Sequence, residues 1–586
     1  MTAHQLFDVR LSKGRILNRR FFASTALAIP PTRALLPVAG RPRQINSLDL
    51  PGQVGAALGL NVVTSSQFAG GAKGDGRTND APAFAAANAA GNMYVPAGQY
   101  LLATSLTVDT SMIFGPEAVV IVPFGVTVTF SGTIDAQPEH IFDVRAGSHI
   151  IFKQSNAVLY AEWFGARGDG ATDDSVAINA AIASVPTNTN YVVGSGGRVQ
   201  LLAKSYYHTA PIILNKSNCA LVGMGPDITY LVSPPNSTND GLIVGGSSIN
   251  NPYLADFTII SGSSLAGGSA STGRGLVLEH LFLLRIRNVN VYRFGTGIYC
   301  TDVTTGLIEN CFVINQNSSA PNVYGIHYDG TTSVQSVSLR SCHMLLSGHT
   351  GAGFSYGFKA DGPHLNDIWV EFCESNLNSF GYYLELSSAT KLGQATDIQF
   401  VRCNADQNSI SGIVVTGAPT GAAVNINGGW FSGETPIQVN ISNSFGVQLR
   451  GAQVLATLAN TGSGGIGLTN CQQCQIVENQ ITNQYTGISL VNSPGNIIVG
   501  NAIYMMSGTT AIGGKGIQVG AGSVRCAISN NLINAGVLNG YSIGVNLDTN
   551  TDKCNVIGNI YGLPGVTTGQ INEPGNVNSV LVGVTT

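Results

Sequence analysis

Charge is scarce in this chain of 586 residues: Asp, Glu, Lys and Arg together make up 10% of it, roughly half the usual share. Lysine, glutamate and arginine are the residues that surface helices rely on, so their shortage argues against a helical protein. No run of eighteen uncharged apolar residues occurs, which argues against a membrane-spanning helix. A net charge of −4 gives no basic excess to hold a phosphate backbone, and nucleic acid is not expected as a partner. Tryptophan occurs only three times, so each indole needs an explanation.

Glycine is abundant, with 73 residues, and Val, Ile, Thr, Asn and Ser supply much of the rest. That mixture suits many short strands joined by tight turns. All ten cysteines fall between Cys219 and Cys554. The lone pair in "CQQC" (Cys471, Cys474) has neither a second such pair nor a nearby histidine to complete a metal site.

One stretch occurs twice. "GGAKGDGRTNDAPAFAAANAAG" (Gly70 to Gly91) returns as "FGARGDGATDDSVAINAAI" (Phe164 to Ile182), with Asp75 and Asp169 in equivalent places. Gly168-Asp169-Gly170 reads as a turn, in which glycine supplies positive φ and the carboxylate binds its own backbone. Thr172 or Asp173 is expected to cap a helix whose apolar stripe is Ala177, Ile178, Ala181 and Ile182. The three carboxylates Asp169, Asp173 and Asp174 are therefore expected to build a domain entrance and not an acid/base site.

From about Leu254 the chain repeats every 22 to 31 residues. Aligning "LIENCFVIN", "SLRSCHMLL", "IWVEFCESN", "IQFVRCNAD", "VNINGGWFS", "VQLRGAQVL", "CQIVENQIT", "NIIVGNAIY", "CAISNNLIN" and "CNVIGNIYG" puts Cys311, Cys342, Cys373 and Cys403 in one column. Gly429, Ala452, Asn479, Asn501 and Asn531 follow them. A period of this length marks a solenoid, and strand-rich coils make it a parallel β-helix. The column residue faces inward at a bend: cysteine fills it as a small, reduced hydrophobe, and asparagine ladders its amide between coils.

Here the motifs support a resemblance. The "GDG-x-T-D-D" helix, "GGRVQLLAKSYYHTAPIIL" (Gly196 to Leu214) and the glycine-rich coils resemble the pectate-lyase-like right-handed β-helix, and more specifically the phage and prophage tailspike depolymerases. The resemblance implies a homotrimer that binds and cleaves bacterial surface polysaccharide, located on a virion tail or outside the cell, with the N-terminus as tail attachment. It implies an N-terminal arm (1–50), a small α/β-type head or neck (51–158), an entry with a capping helix (159–253), an all-β helix carrying a glycan groove (254–562) and a tail (563–586). "NRRFFASTALAIPPTRALLP" (Asn18 to Pro37) also imitates a twin-arginine export signal, which leaves a secreted bacterial lyase or hydrolase open. A non-catalytic glycan-binding adhesin is the third reading.

Carboxylates, histidines and tyrosines concentrate between residues 321 and 410. This is the mixture a glycan groove needs: acid/base groups, with aromatic faces for sugar rings. If Cys373 and Cys403 point inward, then His343, Glu374, Asn404 and Trp430 point outward together. Asp406, two residues along from Asn404, faces the same side, roughly 8 Å from Glu374. That separation suits inverting hydrolysis, which needs about 6.5–9.5 Å. Glu374 and Asp406 are the expected acid and base, with His343 beside them. Arg340, Glu371 and Arg402 are expected to alternate in sign across three coils, as a salt ladder or as clamps for an acidic sugar. Trp369 and Trp430 are the candidate sugar platforms. An eliminating lyase would draw instead on His343, Tyr382 and Arg340. The coils show no run of closely spaced aspartates for a calcium cage, and no cofactor is expected. The loop "SGHTGAGFSYGFKADGPH" (Ser347 to His364) is long enough to wall a groove.

Overall fold

The computed structural model describes residues 59–585, apart from 187–195, 263–269, 316–318, 346–351, 390–393, 434–435, 457–462, 506–513, 535–540, 563–568 and 573–578. The export-like segment lies outside the described residues.

Two ten-residue helices, Ala81–Ala90 and Ser175–Ser184, each follow one copy of the repeated motif. The carboxylates there are structural, as their spacing implied. Asp169 Oδ1 accepts from the amides of Ala171 (2.9 Å) and Thr172 (2.7 Å), and Asp75 does the same for Arg77 and Thr78. These amides hold both carboxyls down at about 2. The cap itself differs from expectation. Asp174, not Thr172 or Asp173, is the N-cap residue, and its buried carboxylate reaches backward to the amides of Arg167 (2.7 Å) and Gly168 (3.0 Å). Asp80 reaches back to Lys73 and Gly74 in the first copy. The carboxylate thus staples the turn to the helix. Ala177, Ile178, Ala181 and Ile182 are buried, as the stripe predicted.

The head stacks short parallel strands into three sheets of four, four and three strands. From Ala157 to Thr585 the strands join a single sheet of 40, and pairing between successive coils is parallel. One contiguous apolar core runs from Val63 to Tyr561. A typical coil has three faces in chain order: first Ser355–Asp361, second Leu365–Glu371, third Glu374–Asn376.

The corner between second and third faces repeats one device. A residue with positive φ turns the chain: Asn310, Ser341, Phe372, Arg402, Gly428, Gly451, Glu478, Gly500, Asn530 and Gly558. The next residue then drops inward, and these are the aligned column positions. Cys311, Cys342, Cys373 and Cys403 are all buried as free thiols, as are the other six cysteines. Burial pushes the Cys219 thiol up to about 12, so it stays protonated. The amide column runs as aligned to its last coil: Asn479, Asn501 and Asn531 each donate Nδ2–H to the next Oδ1 at 2.9 Å, ending on Asn559. Each Oδ1 also accepts a backbone amide, as from Asn479 N to Asn501 (3.0 Å).

Asn501→Leu should leave the Asn479 amide and side chain without their buried acceptor, costing about 2–3 kcal/mol. The exposed Gln480, next in the chain after Asn479, should tolerate Leu within about 0.5 kcal/mol. Equilibrium or kinetic unfolding midpoints compare the two. Phe372→Gly should raise the midpoint, because φ of +53° strains a bulky side chain by about 1 kcal/mol.

Candidate functional site

The third face is made of three-residue strands. His343–Leu345, Glu374–Asn376, Asn404–Asp406 and Trp430–Ser432 pair with His343 opposite Glu374, Glu374 opposite Asn404, and Asn404 opposite Trp430. Phe312 heads the same file. In each strand the middle residue (Met344, Ser375, Ala405, Phe431) is buried, so the flanking residues point outward. Asn376 lies opposite Asp406, which places Asp406 one strand across and two residues along from Glu374, the relation expected from sequence.

Hydrogen bonds join this file into one network. The His343 ring stacks on Phe312 with centroids 4.8 Å apart, and its Nδ1 lies 3.1 Å from Glu374 Oε2. Asn376 Nδ2 donates to Glu374 Oε1 (2.6 Å), and Asn376 Oδ1 accepts from the Asp406 amide (3.1 Å). Ser432 Oγ donates to Asp406 Oδ1 and accepts from Trp430 Nε1 (2.6 Å). Both carboxylates are thereby oriented, with the Trp430 ring still 39% exposed beside them.

The other expected residues are divided between faces. Arg340 and Glu371 lie on the second face, with Nε and Nη2 of the arginine both on Glu371 Oε2 at 2.9 and 2.7 Å. The ladder does not continue to Arg402. Val401 is opposite Glu371, while Arg402 forms the next corner at φ +51°. The ladder runs the other way instead, through Glu309 opposite Arg340 and Arg287 opposite Glu309. Trp369 is 39% exposed on the second face between Ser338 and Gln399, so the two indoles do not share a face. Tyr382 cannot touch a substrate as placed. It is fully buried, donates its hydroxyl to the Asn404 carbonyl (3.1 Å), and burial holds its phenol well above the ordinary value. Its neighbour Tyr383 takes the outward place.

The first face carries a cluster whose carboxylates, histidine and most tyrosines fall in the window between residues 321 and 410, while its central cation, Lys359, and Tyr299 were not expected there. Tyr299, His327, Lys359 and Tyr383 form one outward file, and Asp329, Asp361 and Glu385 form the next. Lys359 Nζ lies 2.7 Å from Asp361 Oδ2 and 3.9 Å from Glu385 Oε2. It also lies 5.8 and 5.5 Å from the ring centres of Tyr324 and Tyr356. His327 Nε2 meets Asp361 Oδ1 at 2.7 Å, and Tyr299 donates to Asp329 Oδ2 at 2.6 Å. Side-chain exposure is only 14% for Lys359 and 15% for His327, although both sit on the outer side of the sheet. Burial alone would raise the Asp361 carboxyl, but hydrogen bonding and charge from His327 and Lys359 outweigh it and hold the carboxyl below the usual range. Burial opposes the charge on Lys359 too, and Asp361 reverses that, raising the ammonium above its ordinary value. The signal was present as a repeat: "YGIHYD" (Tyr324 to Asp329) and "YGFKAD" (Tyr356 to Asp361) align position for position. Part of the expected wall loop is therefore strand: Ser355–Asp361 belongs to this sheet.

The chain resembles a phage depolymerase. The capsule KN3-specific depolymerase 1 of Klebsiella phage KN3-1 is 22% identical over 296 residues, 46% of this chain and 34% of that protein. The chain thus spans about a third of the length of this relative. No family model matches. Among solved structures, tailspike protein 3 of bacteriophage CBA120 aligns at 14% identity over 72% of this chain and 61% of that one, with a TM-score of 0.43. The A-module of the mannuronan C-5 epimerase AlgE6 of Azotobacter vinelandii aligns at 17% identity over 73% and 99%, with a TM-score of 0.41.

Among the described residues, no group of three or more His, Cys, Asp or Glu side chains is placed to hold a metal ion. Asp361 gives a prediction about acid. Its folded carboxyl ionises more readily than the unfolded one, so its stabilisation is full at neutral pH. That stabilisation is lost as pH falls below the ordinary value of 3.8. Asp361→Asn should therefore lower the unfolding midpoint at pH 7, with the gap to wild type closing as pH drops below about 4.

Proposed function

We propose that this chain is a tailspike-type depolymerase that binds and cleaves bacterial surface polysaccharide. The observation that carries the reading is the third-face file. Phe312, His343, Glu374, Asn404 and Trp430 occupy five successive coils, about 19 Å at the strand spacing, with aromatic rings at both ends. A glycan laid along the helix axis would meet a ring, an imidazole, a carboxylate, an amide and an indole in turn. The similarity to a capsule-specific depolymerase supports the same reading.

Hydrolysis is the first form of the proposal. Glu374 and Asp406 stand diagonally on adjacent strands, the spacing that leaves room for a water between acid and base. One protonates the glycosidic oxygen while the other takes a proton from the attacking water. Asn376, bonded to both strands, keeps the pair in register. Homotrimer assembly, tail attachment through the N-terminus, and a location on the virion tail or outside the cell belong to the same proposal.

Elimination is the second form, and one observation favours it: the semi-buried Lys359, His327 and Asp361 among tyrosines on the first face. A cation held near a sugar carboxylate stabilises the enolate left when a neighbouring proton is removed. Tyr382 has no part in this form, and Arg340 is already committed to Glu371.

The test is incubation with host capsule, O-antigen or exopolysaccharide, following reducing ends together with absorbance near 235 nm. Hydrolysis predicts reducing ends without an ultraviolet rise, and a loss of roughly 100-fold or more in Glu374→Gln and Asp406→Asn. An ultraviolet rise that those variants keep and Lys359→Met or His327→Asn loses would replace the first form by the second. If wild type cuts none of the glycans it binds, the chain is an adhesin.

A further inference from the structure

A cleft of about 470 Å³ lies at the corner just past the first-face file, toward the start of the long sheet, lined by Gly246, Ser247, Ser248, Asn250, His280 and Asp302 among others. Its position follows from the register of three successive coils. Val244 pairs with Leu278 and Ile249 with Leu281, so four residues, Gly245 to Ser248, span the distance that Glu279 and His280 cover in the next coil. The cleft opens between this extra length and His280. On the other side Glu279 pairs with Thr301 and Leu281 with Val303, which sets Asp302 directly across from His280. Both corner residues have positive φ, +57° and +49°. The order across coils is therefore serine, histidine, aspartate.

The dyad is made. His280 Nδ1 and Asp302 Oδ2 are 2.5 Å apart, which leaves Nε2 as the nitrogen free to serve the cleft. An aspartate on Nδ1 fixes the tautomer in which Nε2 accepts a proton, the arrangement a hydroxyl nucleophile requires. Gly246 takes φ +119°, which favours glycine, and a Cβ there would stand 3.8 Å from Asn215 Cβ, so backbone and not side chain faces the cleft at this point.

We propose that this cleft is an esterase site for a short acyl group carried on a sugar hydroxyl, with Ser247 or Ser248 as nucleophile, His280 as general base and Asp302 as its positioning residue. The serine Oγ forms a bond to the acyl carbonyl carbon as its proton passes to His280 Nε2. The sugar oxygen leaves and takes that proton back. Water then hydrolyses the acyl-enzyme by the same route, releasing the carboxylic acid and restoring the serine. No oxidant, reductant or metal enters the balance. The activity is independent of backbone cleavage on either file.

The test uses the full chain with p-nitrophenyl acetate and with an O-acetylated polysaccharide, measuring nitrophenol and acetate. Reducing ends are followed separately, so failure here and failure of the depolymerase reading are distinguishable. The proposal expects His280→Asn and one of Ser247→Ala or Ser248→Ala to lower ester hydrolysis roughly 100-fold or more, with unfolding midpoint and reducing-end release unchanged. It also expects a fluorophosphonate to label one of these two serines in wild type and not in the matching alanine variant. No acetate above the His280→Asn level, or labelling that both alanine variants retain, overturns it.

Discussion

Register between coils is the constraint on which the rest of this protein depends. A parallel ladder repeats the same face every coil, so a side chain finds its partner only if each turn returns the chain to the same phase. Here the corner before the inward column secures that phase. One residue takes positive φ, the next drops inside, and the outward file restarts with Phe312, His343, Glu374, Asn404 or Trp430. A one-residue slip would exchange Ser375 for Glu374 in the core.

Much of this was legible because the column residues are chemically narrow. Cysteine, glycine, alanine and asparagine tolerate a tight interior bend, and their recurrence exposed the coil length and with it the third face. The diagonal of Glu374 and Asp406 followed directly. Where a face lacks such a column, reading failed for a physical reason. Tyr382 and Tyr383 are adjacent, and in Phe380–Glu385 both Gly381 and Tyr382 are buried, so simple alternation does not say which phenol faces out. Arg402 was misplaced by one position, because charge alternation cannot tell the last residue of a strand from the corner that follows it.

The two outward files differ in how they hold charge. On the third face the carboxylates bond to neutral amides and hydroxyls and to one imidazole, with open surroundings. On the first face, ammonium, imidazole and carboxylate compensate each other at low exposure, an arrangement in which removing one member strands the rest. In a chain this poor in charge, the first face thus gathers several of its ionisable groups against one another.

The asparagine column has a further consequence. Every member from Asn479 to Asn531 donates toward the C-terminal side, and Asn559 receives the last of these bonds. The amide groups therefore point one way down the interior, like a row of small magnets laid head to tail. Each bond polarises the next, so a coil added behind an existing one binds more firmly than the same coil would alone. The interior thus has a polarity of its own.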